Sequence, residues 1–331
     1  MRGHLSTCTG SKNRARADAT CARFLLYLLC LEHKLYPLCR LYIRHSVLTL
    51  CPLCVYHNEH KLYLLCVRHN AHNWSVREDM RTIVVANQKG GVGKTTTAHA
   101  MIAGLAKRGF SVLGIDLDPQ GNLSSACGAE QYDAATMYDV LTGKAGVPSA
   151  IQELGEPRYK LLAANIMLAS AEQELTQVGK EYRLREALTG LQGIDYVIVD
   201  TPPSLGILTV NAFTAANCVI IPTTAGVFAA TGIDQLNITI GNVRKYCNPG
   251  LYIAGILFTR YNARTNVGRQ IRTLTEQLGK RISAPTYHTC IRSAVAVEEA
   301  QISREDIFTY AASSTVAADY NDFLKEFLEN G

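Results

Sequence analysis

From position 80 onward the chain repeats one arrangement of apolar and polar positions. A short, continuous, β-branched run is followed by a polar or glycine-rich break, then by a stretch with apolar residues at helical spacing. The runs at 82–86, 111–115, 159–163, 196–200, 218–222 and 252–259 predict strands, and their near-continuous apolar character suits strands covered on both faces. Helices are predicted at 95–108, at 138–143 and at 231–246, where Ile233, Leu236, Ile240 and Val243 form one apolar face. A last helix over about 314–329 would bury Val316, Tyr320, Phe323, Leu324 and Phe327, leaving Asp319, Asp322, Glu326 and Glu329 on its polar side against Lys325 alone. Strands alternating with helices imply right-handed crossovers and a parallel sheet. The expected fold class is therefore α/β, a doubly wound, mostly parallel sheet with helices on both faces.

The break after the first run reads Ala86-Asn-Gln-Lys-Gly-Gly-Val-Gly-Lys-Thr-Thr-Thr. Gly90, Gly91 and Gly93 permit a tight backbone turn whose N–H groups converge on an anion. The N-terminus of the predicted helix adds its partial positive charge at the same point, which suits a nucleotide phosphate. Lys94 would set a fixed charge on the β- and γ-phosphates, and the Thr95 hydroxyl would be a ligand to magnesium. The common phosphate-loop pattern G-x-x-x-x-G-K-[ST] has glycine at its first position, whereas this chain has Gln88 there and a second lysine, Lys89, next to it.

Two later runs end in acids. The second delivers Asp116 and Asp118, followed by the turn Pro119-Gln-Gly-Asn122, and the fourth ends at Asp200 before Thr201-Pro-Pro-Ser-Leu-Gly206. Ligands of open α/β sheets collect at the carboxyl ends of strands. A carboxylate at 116 or 118 would hold a water for in-line attack or cap the turn, and Asp200 would hold magnesium through water.

Composition divides the chain at about position 79. Residues 1–79 hold seven of the eleven cysteines, seven of the nine histidines and the only tryptophan, and their basic excess accounts for the whole formal charge of +5. The segment Glu32-His-Lys-Leu-Tyr36 recurs as Glu59-His-Lys-Leu-Tyr63, two copies being too few for a solenoid, and no sustained helix or strand period is evident. Three readings are open: a targeting segment, although the apolar run at 24–31 is too short to span a membrane; a zinc site using Cys51, Cys54, Cys66 and His69; and a leader outside the domain, with Met80 standing where a start would. The expected organisation is a Cys/His/Leu/Tyr-rich leader over 1–79 and a nucleotide-binding domain over 80–331. Scattered single cysteines at 127, 218, 247 and 290 suit a reducing, cytoplasmic setting.

Between positions 244 and 281 eight basic residues face a single acid, Glu276. A helix starting near Asn266 would align Arg269 and Arg272, a stripe suited to phosphate-backbone contact without base reading, or simply to solvation.

With these segments in place, residues 80–331 resemble the ParA/Soj family of partitioning ATPases, the deviant Walker A branch of the P-loop NTPases. The resemblance rests on 86–96, on Asp116-Leu-Asp-Pro-Gln-Gly-Asn122, on Asp200-Thr-Pro-Pro-Ser-Leu-Gly206, on Arg264-Thr-Asn266 and on Glu299-Ala-Gln301. It implies ATP and magnesium as ligands, with Gly90, Gly91, Val92, Gly93, Lys94, Thr95 and Thr96 around the nucleotide. Thr95 and Asp200 would serve the metal, Lys89 would reach a partner's phosphates across a nucleotide-sandwich homodimer, and Asp118 would support hydrolysis. It further implies non-specific DNA as a partner through Arg264, Arg269 and Arg272, a ParB-like centromere binder that triggers hydrolysis and release, a nucleoid-associated cytoplasmic location and no membrane. The sequence departs from the family at Ile291-Arg-Ser-Ala-Val-Ala-Val297 and at Thr223-Thr-Ala-Gly-Val-Phe228, where the family carries more basic and more polar segments. A MinD-like membrane-positioning ATPase is the alternative, and it would need a basic amphipathic C-terminal tail. An iron–sulfur carrier would need paired cysteines in the domain, and a transcriptional regulator would need a helix-turn-helix before Met80.

Overall fold

The computed structural model describes residues 53–58, 61–66, 80–155, 158–226 and 229–330. The chain divides into two compact units, 1–74 and 75–331. In the first, β1 (Leu53–Asn58) pairs antiparallel with β2 (Lys61–Cys66), with Leu53 opposite Cys66 and Asn58 opposite Lys61. This pairing was not legible as a period, because both segments are apolar on successive positions; Val55, Tyr56 and Tyr63 nevertheless favour extended backbone. Cys54 and Cys66 of the candidate zinc set fall on these strands, while Cys51 and His69 lie outside the described residues.

The second unit is built on an eight-stranded sheet. Its strands are β3 (Arg81–Val85), β4 (Val112–Asp116), β5 (Ile151–Leu154), β6 (Tyr159–Leu162), β7 (Tyr196–Asp200), β8 (Cys218–Thr223), β9 (Tyr252–Phe258) and β10 (Thr286–Cys290). Their order is β10-β9-β8-β3-β7-β4-β6-β5, and every neighbouring pair is parallel except β5 against β6. The expected doubly wound, mostly parallel sheet is therefore present. Strand β3 lies between β7 and β8, and the chain leaves it toward β4 on one side and later reaches β8 on the other, so the phosphate-loop segment emerges at the switch point of the sheet.

Helix α1 (Lys94–Ala106) follows β3, and α2 (Asn122–Ala126), α3 (Met137–Thr142), α4 (Val147–Ala150), α5 (Leu168–Glu174), α6 (Arg183–Leu188) and α7 (Ile207–Ala215) lie along the chain up to β8. Beyond it come α8 (Ala229–Tyr246), α9 (Asn266–Ile282), α10 (Ala296–Ser303), α11 (Ile307–Tyr310) and α12 (Thr315–Asn330). Alternate strand residues enter two cores. Val84, Ile115, Val199 and Ile221 pack with the buried faces of α7 and α8, while Ile83, Val85, Ile198 and Ile220 pack with α1 and α12. Gly114 on β4 is required by this second core, since a Cβ there would stand 2.6 Å from Ile102 on α1 and from Leu161 on β6.

Helix α12 buries Val316, Tyr320, Phe323, Leu324 and Phe327 as expected. Asp322 and Glu329 are exposed as expected, but two of its acids are not simply solvated. Asp319 is buried and paired with Arg292 at 2.6 Å, and Glu326 accepts the backbone N–H groups of His288 and Thr289 at 2.7 and 3.0 Å. These carboxylates attach the helix to β10 and to the segment after it. Among the described residues no helix is long and apolar enough to cross a membrane.

His99 on α1 is 6% exposed, and its Nε2 has no hydrogen-bond partner. Burial pushes its imidazole down from 6.5 to about 4, Asp306 pulling back only in part. The charged form is thus disfavoured in the folded state, so its contribution is fully present above pH 6.5 and is lost as pH falls from there toward 4. The expected loss across that window is about 3 kcal/mol. Urea denaturation of the chain and of His99→Leu at pH 7 and pH 4.5 checks this: the variant should show a markedly smaller drop, and equal drops would assign the acid sensitivity elsewhere.

Candidate functional site

The turn between β3 and α1, with the first residues of α1, is tied by hydrogen bonds to four other parts of the domain. Asn87 is buried; its Nδ2 donates to the Pro222 carbonyl on β8 at 2.7 Å, and its Oδ1 accepts the Lys89 N–H at 3.0 Å. The Thr259 hydroxyl, just beyond β9, donates to the Val92 carbonyl at 2.8 Å. Gln301 on α10 donates to the Thr96 hydroxyl at 3.2 Å, and Thr95 donates to Asp200 at the end of β7 at 2.6 Å. Gly91 and Gly93 have φ of 70° and 79°, which a residue with a Cβ adopts only with strain, and Gly93 caps α1. The helix begins at Lys94, so its first N–H groups and its positive dipole end face the turn.

Lys94, Asp116, Asp118 and Asp200 are all buried at this sheet edge. Asp116 and Asp200 are register partners on β4 and β7. Burial lowers the Lys94 ammonium below its ordinary value against the pull of Asp200 and Asp118. Burial raises Asp200 well above the usual carboxylate range; Asp116 adds to this, and Thr95 and Lys94 oppose it. Burial also lifts Asp116 to about 6, although its oxygens accept from the Asp118 N–H at 3.0 Å and from the Ser124 N–H and hydroxyl, both at 2.8 Å. Asp116 is therefore the fastener of the 117–124 turn, and Asp118, whose Oδ1 accepts the Gln120 N–H at 3.0 Å, is the carboxylate presented by that turn.

Asp200 Oδ1 is buried with no hydrogen-bond partner. One hard oxygen left unsatisfied beside the Thr95 hydroxyl fits a hydrated divalent cation, which takes few protein ligands and keeps several waters. No cluster of three or more His, Cys, Asp or Glu able to hold a metal occurs among the described residues.

Lys89 is exposed, and its ammonium lies over Gly226, where an added Cβ would come within 3.3 Å of it. Of the expected DNA-contacting arginines, Arg264 is exposed at the loop before α9, and Arg269 bonds the Ala263 carbonyl at 2.9 Å and Asn266 on the exposed surface. Arg272 does not stand with them. Its Nε bonds Glu276 at 2.8 Å, its Nη1 reaches Cys290 Sγ at 2.7 Å, and its guanidinium lies 6.0 and 5.9 Å from the Phe258 and Tyr261 rings. Helical spacing put Arg269 and Arg272 on one side, but α9 turns Arg272 toward β10, where carbonyls and rings engage it. Ser124 and Thr259 lie outside the quoted motifs, and Asn87 and Thr201 lie inside them but were given no role, since buried Asn, Ser and Thr are recognisable only from what they bond.

A family model described as AAA domain matches residues 80–253. The sporulation initiation inhibitor protein Soj of Bacillus subtilis is 41% identical over 254 residues, 76% of this chain and 99% of that protein. The chromosome partitioning protein ParA of Caulobacter vibrioides is 37% identical, over 75% of this chain and 94% of its own length. Among solved structures, a Mycobacterium smegmatis protein described as cobyrinic acid a,c-diamide synthase, with bound ATP analog and magnesium, is 36% identical with a TM-score of 0.66, covering 76% of this chain and 95% of that one.

The unpaired buried carboxylate leads to opposite expectations for stability and for ligand response. Asp200→Asn removes a buried charge and is expected to leave ligand-free stability unchanged or raised by about 1 kcal/mol, while abolishing the rise in melting temperature on adding nucleotide with magnesium. Differential scanning fluorimetry with and without the ligands measures both; a preserved ligand shift in the variant would remove Asp200 from the metal site.

Proposed function

The chain belongs to the ParA/Soj family of partitioning ATPases, and we propose that residues 80–331 form an ATP-switched DNA-partitioning ATPase. The observation that carries this reading is the burial of Lys94 and Asp200 at a helix N-terminus, with the half-buried Thr95 hydroxyl bonded to Asp200 and a second lysine, Lys89, left exposed beside it. The magnesium and ATP analog bound to the Mycobacterium smegmatis protein support the same ligands here.

In this reading the backbone N–H groups of 90–95 and the Lys94 ammonium bind the phosphates, Lys94 neutralising charge that develops on the transferred group. Magnesium, when bound, neutralises the β- and γ-phosphate oxygens, and the Thr95 hydroxyl and the Asp200 carboxylate are the groups that hold it. Asp118 orients the attacking water, and Asp116 and Ser124 keep Asp118 aimed. Lys94 already serves the nucleotide of its own chain, which leaves Lys89 to reach the phosphates of a second copy. ATP thereby pairs two protomers. Pairing doubles the basic surface around Arg264 and Arg269, so non-specific DNA affinity rises with nucleotide state, because each neutralised phosphate releases counterions. A ParB-like partner stimulates hydrolysis and returns the protein to the weakly binding monomer, which puts the working protein on the nucleoid in the cytoplasm. The membrane alternative draws no support from α12, whose apolar face is occupied by the core.

Lys89→Ala is expected to bind ATP but to sediment as a monomer with a slowly hydrolysed analogue; an unaltered dimer would refute the role of Lys89. Asp118→Ala should lower the hydrolysis rate about 100-fold or more while still pairing and staying on DNA. Replacing Arg264 and Arg269 with alanine should weaken binding to every DNA sequence alike and reduce the salt slope by about 1 for each phosphate no longer neutralised. By contrast, Arg272→Ala should cost about 1–3 kcal/mol of stability, because it strips partners from β10. Fluorescence anisotropy at several salt concentrations, with urea melts of the same variants, separates these outcomes.

A further inference from the structure

Thr259 joins the phosphate loop to the segment that carries Arg264. Its side chain is 2% exposed, and its hydroxyl lies between the Val92 carbonyl at 2.8 Å and the Thr223 carbonyl at 3.2 Å. Its backbone N–H also donates to the Thr223 carbonyl, at 2.8 Å, so the residue is fixed to the end of β8. The peptide between Val92 and Gly93 is planar and trans, which sets its C=O and its N–H on opposite sides. Holding the Val92 carbonyl toward Thr259 therefore aims the Gly93 N–H the other way, away from Thr259. The Thr259 methyl meets Gly93 as well: a Cβ built there would lie 3.6 Å from it.

The chain immediately after Thr259 is short and tied down. Arg260 is a non-glycine residue with φ of 48°, a left-handed conformation that costs about 1 kcal/mol and persists only where its surroundings impose it. Tyr261 is buried, and its N–H donates to the Ile291 carbonyl at 2.9 Å. The Asn262 side chain accepts the Arg264 N–H at 3.0 Å, and Thr265 caps α9 by accepting the Gly268 N–H at 3.1 Å. Arg272 lies against the Tyr261 ring. A shift of the Thr259 hydroxyl thus has a stiff path to Arg264.

We propose that Thr259 is a positioning residue: it aims the Gly93 N–H at the nucleotide phosphate, and it passes phosphate occupancy to the loop that carries Arg264. This rests on the reading of the site as a nucleotide switch and adds to it a route within one protomer, besides the pairing of two.

The test uses the full chain with Thr259→Val, which keeps the shape and removes the hydroxyl, and Thr259→Ser, which keeps the hydroxyl. Equilibrium binding of a fluorescent non-hydrolysable ATP analogue with magnesium should weaken about tenfold in Thr259→Val and stay within about twofold in Thr259→Ser. Amide hydrogen exchange read on peptides covering 260–265 should slow on adding the analogue to the unmodified chain and to Thr259→Ser, and should not change in Thr259→Val. Equal affinity and equal protection in Thr259→Val overturn the proposal. So does the absence of any slowing at 260–265 in the unmodified chain, a result that stands even if Thr259→Val fails to fold. DNA anisotropy on the same samples separates the two ideas: unmodified chain that never binds DNA defeats the partitioning reading, while analogue binding and exchange still decide the role of Thr259.

Discussion

Charge buried at one sheet edge governs how the surrounding elements are arranged. An ammonium at 94 and carboxylates at 116, 118 and 200 are withdrawn from water close enough to act on one another's charge. Desolvating such groups costs several kcal/mol each unless opposite charges and hydrogen bonds offset it. The fold supplies those offsets unevenly. Asp116 receives three donors, whereas Asp200 receives only the Thr95 hydroxyl and keeps one oxygen unpartnered. Asp116 is thus bonded within the fold itself, while Asp200 keeps an oxygen for which the fold supplies no donor, as the proposed cation role requires. That division follows from counting donors around two acids at matching positions on neighbouring strands.

Keeping the arrangement in place needs a rigid support, and the sheet provides it. Seven parallel strands bring their carboxyl ends to one edge, with a packed core on each face. The phosphate loop leaves the central strand β3 and is tied to β8 by Asn87, to β9 by Thr259, to β7 by Thr95 and to α10 by Gln301. Each tie uses a small polar side chain that satisfies a backbone group or a hydroxyl that burial would otherwise leave unpaired. Satisfying the loop's outward carbonyls and orienting its inward N–H groups are the same act, because both belong to the same peptide planes.

The basic region shows how local pattern and tertiary context divide the work. Eight cations against one acid along 244–281 suggested a single surface, yet the cations serve different ends. Arg244 donates to the Leu251 carbonyl, Arg281 pairs with Asp234 on α8, and Arg272 supports β10 and the aromatic pair Phe258 and Tyr261; of the five others, all exposed, Arg264 and Arg269 stand at the turn into α9. Likewise the acids of α12 looked solvated by helical period, and Asp319 and Glu326 instead hold that helix to β10 and to Arg292.

Sequence alone was enough to read the class of the fold, the central strands β3, β4, β7, β8 and β9 to within a residue or two at their ends, and the glycine-rich loop that joins β3 to α1. Continuous apolar runs and a glycine turn at a helix start are local signals that need no knowledge of neighbours. It did not reveal β5 or β10, nor α5, α6 and α7. Edge strand β5 is half exposed and β10 reads Thr-Tyr-His-Thr-Cys, so neither has the apolar run that marks a doubly covered strand, and α7 is apolar nearly all round, which erases a helical period. Which arginines face outward, which carboxylate is left incomplete, and that Asn87 and Thr259 hold the loop became visible with the folded chain, because the bonds of a small polar side chain depend on what folding brings within about 3 Å of it.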